Sequence, residues 1–167
     1  MLPKPAEYYV EKMRALHVAM RDDLLKHLRA QETEAAEAAH KEDLAGVADV
    51  RGGDTIYRID AHSEEILFAF CAEWAREAGP FVLIAEGVDG AGWMPFPEGA
   101  DAADAQFLMI VDPIDGTRNI MYNKRSAWIL SGIAPNNGEA TTLADIAAAV
   151  MTELPTTRHR YSDQLWA

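Results

Sequence analysis

Two short apolar runs that each end in an acidic residue constrain the fold of this chain more than any other feature. Phe81–Ala85 is followed directly by Glu86 and Gly87, and Phe107–Val111 is followed directly by Asp112. Apolar runs of this length, bounded by turn residues, are typical of buried strands. The sequence therefore predicts two buried strands that end in carboxylates, within a fold that layers helices on a sheet.

The helices are predicted by the spacing of large apolar side chains. Across residues 5–29 these recur three and four positions apart, as on one face of an amphipathic helix. Residues 31–44 are rich in Ala and Glu, which predicts a more exposed helix or a continuation of the first one. A further helix is indicated by the same spacing across residues 66–74, with Asp60 or Ser63 as its N-cap residue.

The remaining segments alternate between loops and strands. Residues 46–54 and 88–104 are rich in Gly, Asp and Pro, which predicts loops, and residues 55–59 form a short β-prone piece. Residues 127–134 and 146–154 predict two more strands on either side of a turn. The order is long helices first and then a sheet with one helix interposed.

Length and composition limit the class of protein. A chain of 167 residues has the length of one domain, so we expect residues 1–167 to form a single domain. With 15 Lys and Arg against 27 Asp and Glu, the net charge of −12 argues against a nucleic-acid partner. The single cysteine, Cys71, fits a reducing compartment, and neither a signal peptide nor a membrane span is visible. We therefore expect a cytoplasmic protein without a nucleic-acid or membrane partner.

The string Asp112-Pro113-Ile114-Asp115-Gly116-Thr117 carries the strongest chemical signal in the chain. It places two carboxylates a short turn apart, with Pro113 fixing the backbone and Gly116 allowing a ligand to approach closely. Carboxylate and carbonyl oxygens suit Mg²⁺, which completes its shell with water and substrate phosphate oxygens. The N–H groups of Gly116 and Thr117 would bind an anion if they open a helix. The alternative interpretation is a structural turn capped by acids.

This string resembles the signature of the inositol monophosphatase and fructose-1,6-bisphosphatase superfamily of metal-dependent phosphatases. Two upstream elements follow the same order as in that family. Glu86 and Gly87 stand where the family has a Gly-Glu-Glu string after a strand, and Thr55 to Asp60 is similar to its Thr-x-x-Asp segment that opens a helix. The resemblance implies the N-terminal half of a layered α/β (α+β) sugar-phosphatase fold, with long helices packed on a mostly antiparallel sheet.

The resemblance also implies a role for individual residues. The implied ligands of two or three Mg²⁺ ions are the side chains of Glu86, Asp112 and Asp115 and the backbone carbonyl of Ile114. Glu86, Thr117 and Asp60 would serve catalysis, with the Thr117 hydroxyl orienting the attacking water and Asp60 as its partner. The N–H groups of Gly116 and Thr117 would bind the phosphate. Inhibition by Li⁺ is a further implication of the resemblance.

The implied activity is Mg²⁺-dependent hydrolysis of a sugar or inositol phosphate by a metal-activated water, with a small phosphorylated molecule as substrate. Haloacid-dehalogenase-like phosphatases also place an Asp-x-Asp-Gly-Thr string after a strand, and attack with the first aspartate. Here two residues separate Asp112 from Asp115, which turns the second carboxylate in a different direction. The spacing therefore favours the metal-dependent class.

The sequence departs from the family pattern at two points. Gly87 replaces the usual second glutamate, which removes a carboxylate, and we expect one metal site to be weakened or reshaped as a result. The family's second half, with its Trp-Asp motif, is absent. The chain is thus a fragment, half of a split enzyme or a shortened relative; we favour a fragment, because an isolated half would expose apolar surface.

The alternative function is a catalytically incomplete metal- or phosphate-binding module, or a subunit that needs a second half. Besides a missing second half, the partner that we expect is another copy of this chain in a homo-oligomer.

Overall fold

The computed structural model describes the backbone of residues 1–35, 47–51, 54–88 and 90–167. Side chains are described for residues 1–30, 63–88, 90–120 and 122–167. The helices are α1 (Ala6–Ala35), α2 (Arg58–Ala78) and the short α3 (Thr117–Met121). A hairpin precedes α2 and consists of β1 (Val47–Arg51) and β2 (Asp54–Tyr57).

The described part of the chain contains one six-stranded sheet in the order β4-β3-β5-β6-β7-β8. Its strands are β3 (Phe81–Ala85), β4 (Trp93–Phe96), β5 (Phe107–Asp115), β6 (Ala127–Pro135), β7 (Ala148–Leu154) and β8 (Gln164–Trp166). The pair β3 and β5 is parallel, and the other four pairs are antiparallel. The prediction of long helices with a mostly antiparallel sheet is confirmed.

The core lies between the sheet and the two long helices. Along β7, and along β5 from Phe107 to Pro113, every second residue is buried while those between are only partly buried, so one sheet face is covered and the other is open. On the covered face the rings of Phe81 and Phe107 stack with centroids 4.8 Å apart, and Trp74 of α2 lies 5.3 Å from Phe81. Burying such rings stabilises the fold by about 2 kcal/mol each.

A polar network lies inside this core, centred on His17 of α1. Its Nδ1 lies 2.9 Å from Thr152 Oγ1, and its Nε2 lies 2.8 Å from Ser131 Oγ. The ring is fully buried, and this burial lowers the pKa of His17 from 6.5 to about 3. His17 is therefore a neutral core residue that ties α1 to β6 and β7.

The prediction for the start of α2 was wrong. The helix begins at Arg58, so Asp60 and Ser63 lie inside it and neither is its N-cap residue. The segment between Arg58 and Ser63 contains no Gly or Pro, so extending the helix by a turn costs little once its apolar stripe is packed. As a result β2 ends at Tyr57, before the predicted end of the β-prone piece.

Both predicted loops contain strands. Residues 46–54 include β1, and residues 88–104 include β4, because pairing with a neighbouring strand overrides a Gly- and Pro-rich composition. β5 extends to Asp115 rather than ending at Val111, and β7 begins at Ala148 rather than at residue 146. Helix α1 continues to Ala35, while the rest of the predicted helical segment, residues 36–44, lies outside the described residues.

Within the described residues, no helix combines the length and the apolar character that crossing a membrane requires.

Candidate functional site

Glu86 and Asp112 are neighbours at one edge of the sheet. Because β3 and β5 run parallel with Ala85 opposite Val111, Glu86, directly after β3, and Asp112, within β5, follow at corresponding positions of two neighbouring strands. Glu86 is exposed and Asp112 is partly buried. Carboxyl ends of adjacent parallel strands are a common place for ligand sites in α/β folds.

A bulge in β5 separates Asp112 from Asp115. Asp112 pairs with Leu130 and Asp115 pairs with Trp128, so β5 carries one residue more than β6 over this stretch. Pro113 within it cannot donate a ladder hydrogen bond, and bulges re-aim side chains beside functional sites. The Asp112 carboxylate accepts a hydrogen bond from the Ile114 N–H at 3.1 Å, which fixes its orientation. The predicted short turn between the two aspartates is therefore a bulge within one strand.

The chain turns from β5 into α3 at Gly116. Its φ of 96° is left-handed, a conformation that favours glycine, and it caps the helix that begins at Thr117. The Thr117 hydroxyl turns back and donates to the Ile114 carbonyl oxygen at 2.9 Å. A carbonyl oxygen has two lone pairs, so Ile114 has a second acceptor position besides this bond.

The carboxylates of the site act on one another electrostatically. The pKa of Asp112 is raised above its ordinary value, first by burial, then by the negative charge of Asp115, with a smaller contribution from Glu86. The hydrogen bond from Ile114 opposes this shift. The aspartates and Glu86 thus lie close enough to repel, and a bound cation would relieve that repulsion.

The donor chemistry fits a hard cation. Carboxylate and carbonyl oxygens gather here, and these are the ligands that Mg²⁺ prefers. Among the described residues, however, no three His, Cys, Asp or Glu side chains come close enough together to hold a metal ion. The ligand set is therefore not closed, and the metal assignment stays a prediction.

Asp60 is only partly placed by the structure. Its backbone lies in the first turn of α2, a helix that contacts α3, where Thr117 lies. Its side chain lies outside the described residues. The predicted partnership between Asp60 and Thr117 therefore also stays a prediction.

Glu64 is a residue to which we assigned no role from the sequence. It lies on α2 and is only 8% exposed, and its carboxylate packs against Gly87 directly after Glu86. A Cβ at Gly87 would lie 1.8 Å from Glu64 Oε1, so the contact requires glycine. Gly87 was the one available signal, since it breaks the family pattern. The Glu64 carboxylate thus occupies the place that a Cβ of residue 87 would take.

An apolar groove of about 510 Å³ runs along the open face of the sheet. Asp112 is among its lining residues, so the groove reaches the carboxylate edge. Its apolar lining includes Ile110, Leu130 and Met151 from the adjacent strands β5, β6 and β7. Exposed Leu165 and Trp166 of β8 also line it.

The fold is shared with solved structures of about twice the length. Fructose-1,6-bisphosphatase of Leishmania major, in its holo form, matches with a TM-score of 0.65 and 15% identity, over 100% of this chain and 49% of that one. The extragenic suppressor protein suhB of Bartonella henselae matches with a TM-score of 0.58 and 16% identity, over 95% of this chain and 52% of that one. No protein-family model matches the sequence. No curated protein matches it either. The chain therefore has the α+β sugar-phosphatase fold of fructose-1,6-bisphosphatase and spans about half the length of the structures it matches.

Proposed function

We propose that this chain is a Mg²⁺-dependent phosphomonoesterase that acts on a sugar or inositol phosphate. The carrying observation is that Glu86 and Asp112 stand on neighbouring parallel strands of a sugar-phosphatase fold, and that the negative charges of Asp115 and Glu86 both act on Asp112. A structural turn capped by acids would not need a third carboxylate from another strand. A site built from oxygen ligands suits hydrolysis by a metal-activated water.

In this proposal the Mg²⁺ ligands are Glu86, Asp112, Asp115 and the Ile114 carbonyl. Bound Mg²⁺ would lower the pKa of a water and neutralise charge on the phosphoryl oxygens. The bond from Ile114 holds the Asp112 carboxylate in one orientation, which reduces the entropy lost when an ion binds. Gly116 and Thr117 would receive the phosphate through their N–H groups.

The Thr117 hydroxyl has one hydrogen, and it donates that hydrogen to Ile114. Towards a water molecule the Thr117 oxygen can therefore act only as an acceptor. Accepting a hydrogen bond from the water would turn a lone pair of that water towards the phosphate. Asp60 would complete this arrangement from the first turn of α2.

Phosphate release from a panel of sugar, inositol and nucleotide phosphates tests the proposal. Activity should require Mg²⁺ and should disappear in the Asp112→Asn, Asp115→Asn double variant. The double variant Glu98→Gln, Asp104→Asn is a matched control, because both side chains are exposed and the net charge changes equally. Equal activity of the two double variants would contradict the proposal.

A second candidate function is favoured by the open face of the sheet. A groove of about 510 Å³ with an almost wholly apolar lining is unsuited to a sugar, and the chain spans about half of each matched structure. In this alternative the chain is a subunit that binds metal or phosphate and needs a second polypeptide over that face for turnover.

Dye binding and sedimentation distinguish the two candidates. For the subunit, we expect a monomer that binds Mg²⁺, releases no phosphate and binds a hydrophobic dye, with less dye bound after Leu130→Gln and Met151→Gln. Phosphate release by the isolated monomer would rule out the subunit. A stable dimer without dye binding would show that a second copy covers the face.

A further inference from the structure

We propose that Glu64 is a positioning residue for Glu86, acting through the backbone of Gly87; this inference rests on the proposed metal site. Glu64 would hold the turn after β3 in the conformation that presents Glu86 beside Asp112. It would thereby replace, from α2, the side chain that residue 87 lacks.

The contact between Glu64 and Gly87 is closer than any other residue type would permit. A Cβ at Gly87 would lie 1.8 Å from Oε1, 2.4 Å from Cδ and 3.0 Å from Oε2 of Glu64. The whole carboxylate thus lies against this one backbone position. Gly87 also has a φ of +88°, which an L side chain rarely adopts. Shape and backbone conformation both demand glycine here.

Burial shows that this contact is a fixed part of the structure. Glu64 is 8% exposed, whereas its neighbour Glu65 is exposed. Acidic side chains are almost never buried unless they are paired or hydrogen-bonded. No buried side-chain oxygen or nitrogen lacks a hydrogen-bond partner in the described part of the chain, so the Glu64 carboxylate is satisfied where it lies. A buried carboxylate packed this closely against the backbone of Gly87 has little room to rotate.

The turn that Glu64 contacts controls where Glu86 points. Glu86 lies between Ala85, which is fixed in the sheet opposite Val111, and Gly87, which is fixed by Glu64. An exposed glutamate gains little from its own packing, so the two flanking residues set its direction. Residues that hold a metal ligand in its orientation affect metal affinity even though they do not contact the metal.

Mg²⁺ titration by calorimetry tests the proposal without relying on turnover. Glu64→Gln keeps the side chain's shape but replaces an acceptor oxygen with a donor group, so we expect Mg²⁺ binding to weaken by about tenfold or more. Glu65→Gln, one residue along the same helix, should leave the dissociation constant unchanged. Circular dichroism at the titration temperature establishes that every variant compared is folded.

A double-mutant cycle separates positioning from a general loss of structure. Gly87→Ala should also weaken Mg²⁺ binding, because its Cβ displaces the carboxylate. In Glu64→Ala that collision is gone, so adding Gly87→Ala should cost less affinity than it does in the natural chain. Additive losses would overturn the proposal, as would an unchanged dissociation constant in Glu64→Gln. If Glu64→Gln does not fold, the test rests on Gly87→Ala. An unchanged dissociation constant for Mg²⁺ in Gly87→Ala would then overturn the proposal.

The same titration distinguishes this inference from the proposed function. Suppose that Asp112→Asn abolishes Mg²⁺ binding, whereas Glu64→Gln and Gly87→Ala bind Mg²⁺ as the natural chain does. That result would overturn only the role of Glu64. A natural chain that binds no Mg²⁺ would overturn both.

Discussion

Thr117 donates its hydroxyl hydrogen to the carbonyl oxygen of Ile114 at 2.9 Å, across the turn that leads from β5 into α3. This bond joins the residue predicted to orient the water with the carbonyl predicted to bind metal. It closes the loop around Gly116, where the backbone turns left-handed. The water-orienting and metal-binding parts of the proposed site are thus one local structure.

Thr117→Val should separate the hydroxyl's contribution from the packing of the side chain. Valine keeps the shape but cannot bond to Ile114 or to a water, so we expect kcat to fall about a hundredfold, the size of effect expected when the attacking water is no longer oriented. Thr117→Ser retains the hydroxyl and should keep kcat within a few-fold. Steady-state phosphate release measures both, and equal kcat values for Val and Ser would contradict the assigned role.

Asp112→Asn should stabilise the metal-free protein at neutral pH. The pKa of Asp112 is raised by burial and by Asp115, so the folded state disfavours its negative charge. When the pKa of a carboxyl group is higher in the folded than in the unfolded protein, the free energy of unfolding decreases as the pH rises from the unfolded-state pKa through the folded-state pKa. This loss of stability is fully present at pH 7. The asparagine oxygen can still accept from Ile114.

Thermal unfolding in EDTA and in Mg²⁺ checks this prediction. In EDTA, we expect the unfolding midpoint of Asp112→Asn to be higher than that of the natural chain. Adding Mg²⁺ should raise the midpoint of the variant by less than that of the natural chain. A lower midpoint in EDTA would show that the negative charge of Asp112 is stabilising without metal.

His17 should make the fold acid-sensitive. Its pKa is lowered to about 3 in the folded protein, while the unfolded chain titrates near 6.5, so stability decreases as the pH falls through this window. Between pH 7 and pH 5 the loss from this residue should be about 2 kcal/mol. Urea unfolding at pH 7 and at pH 5 measures this difference in the free energy of unfolding. His17→Gln should remove most of that difference, and an unchanged difference would contradict the assignment.

Gly116→Ala should act through the backbone rather than through collision. The new Cβ would have no contact closer than 3.6 Å, but the φ of +96° would cost about 1–2 kcal/mol. Gly138→Ala is a control with a φ of +60° and open surroundings, and Gly138 follows the end of β6 that pairs with Phe107 rather than with Asp112. Urea unfolding should show destabilisation in both variants, whereas only Gly116→Ala should reduce phosphate release. Equal activity would show that the Gly116 turn is only structural.

The sequence predicted those parts of the fold whose signal is local. The runs 81–85 and 107–111 are apolar enough to define β3 and β5, and their parallel pairing brought Glu86 and Asp112 together. β4 was missed because Trp93–Phe96 lies among glycines and prolines and forms a strand only by pairing with β3. The N-cap of α2 was misplaced because helix extension to Arg58 depends on packing.

The contact of Glu64 with Gly87 was not predicted from the sequence. A glutamate beside another glutamate on an amphipathic helix is usually solvated, and nothing local distinguishes Glu64 from Glu65. Its burial depends on a glycine that follows the next strand along the chain, and only the folded structure brings the two together. The bulge between Asp112 and Asp115 was likewise invisible, since it is defined by the register with β6.

The most direct test of the proposed site is a crystal structure of this chain soaked in Mn²⁺, which replaces Mg²⁺ and scatters anomalously. The proposal predicts an anomalous peak about 2.2 Å from the carboxylate oxygens of Asp112 and Asp115, with Glu86 turned towards it. Crystals of the Asp112→Asn, Asp115→Asn variant should lack that peak. Anomalous peaks elsewhere, with none at this edge of the sheet, would contradict the proposed metal site.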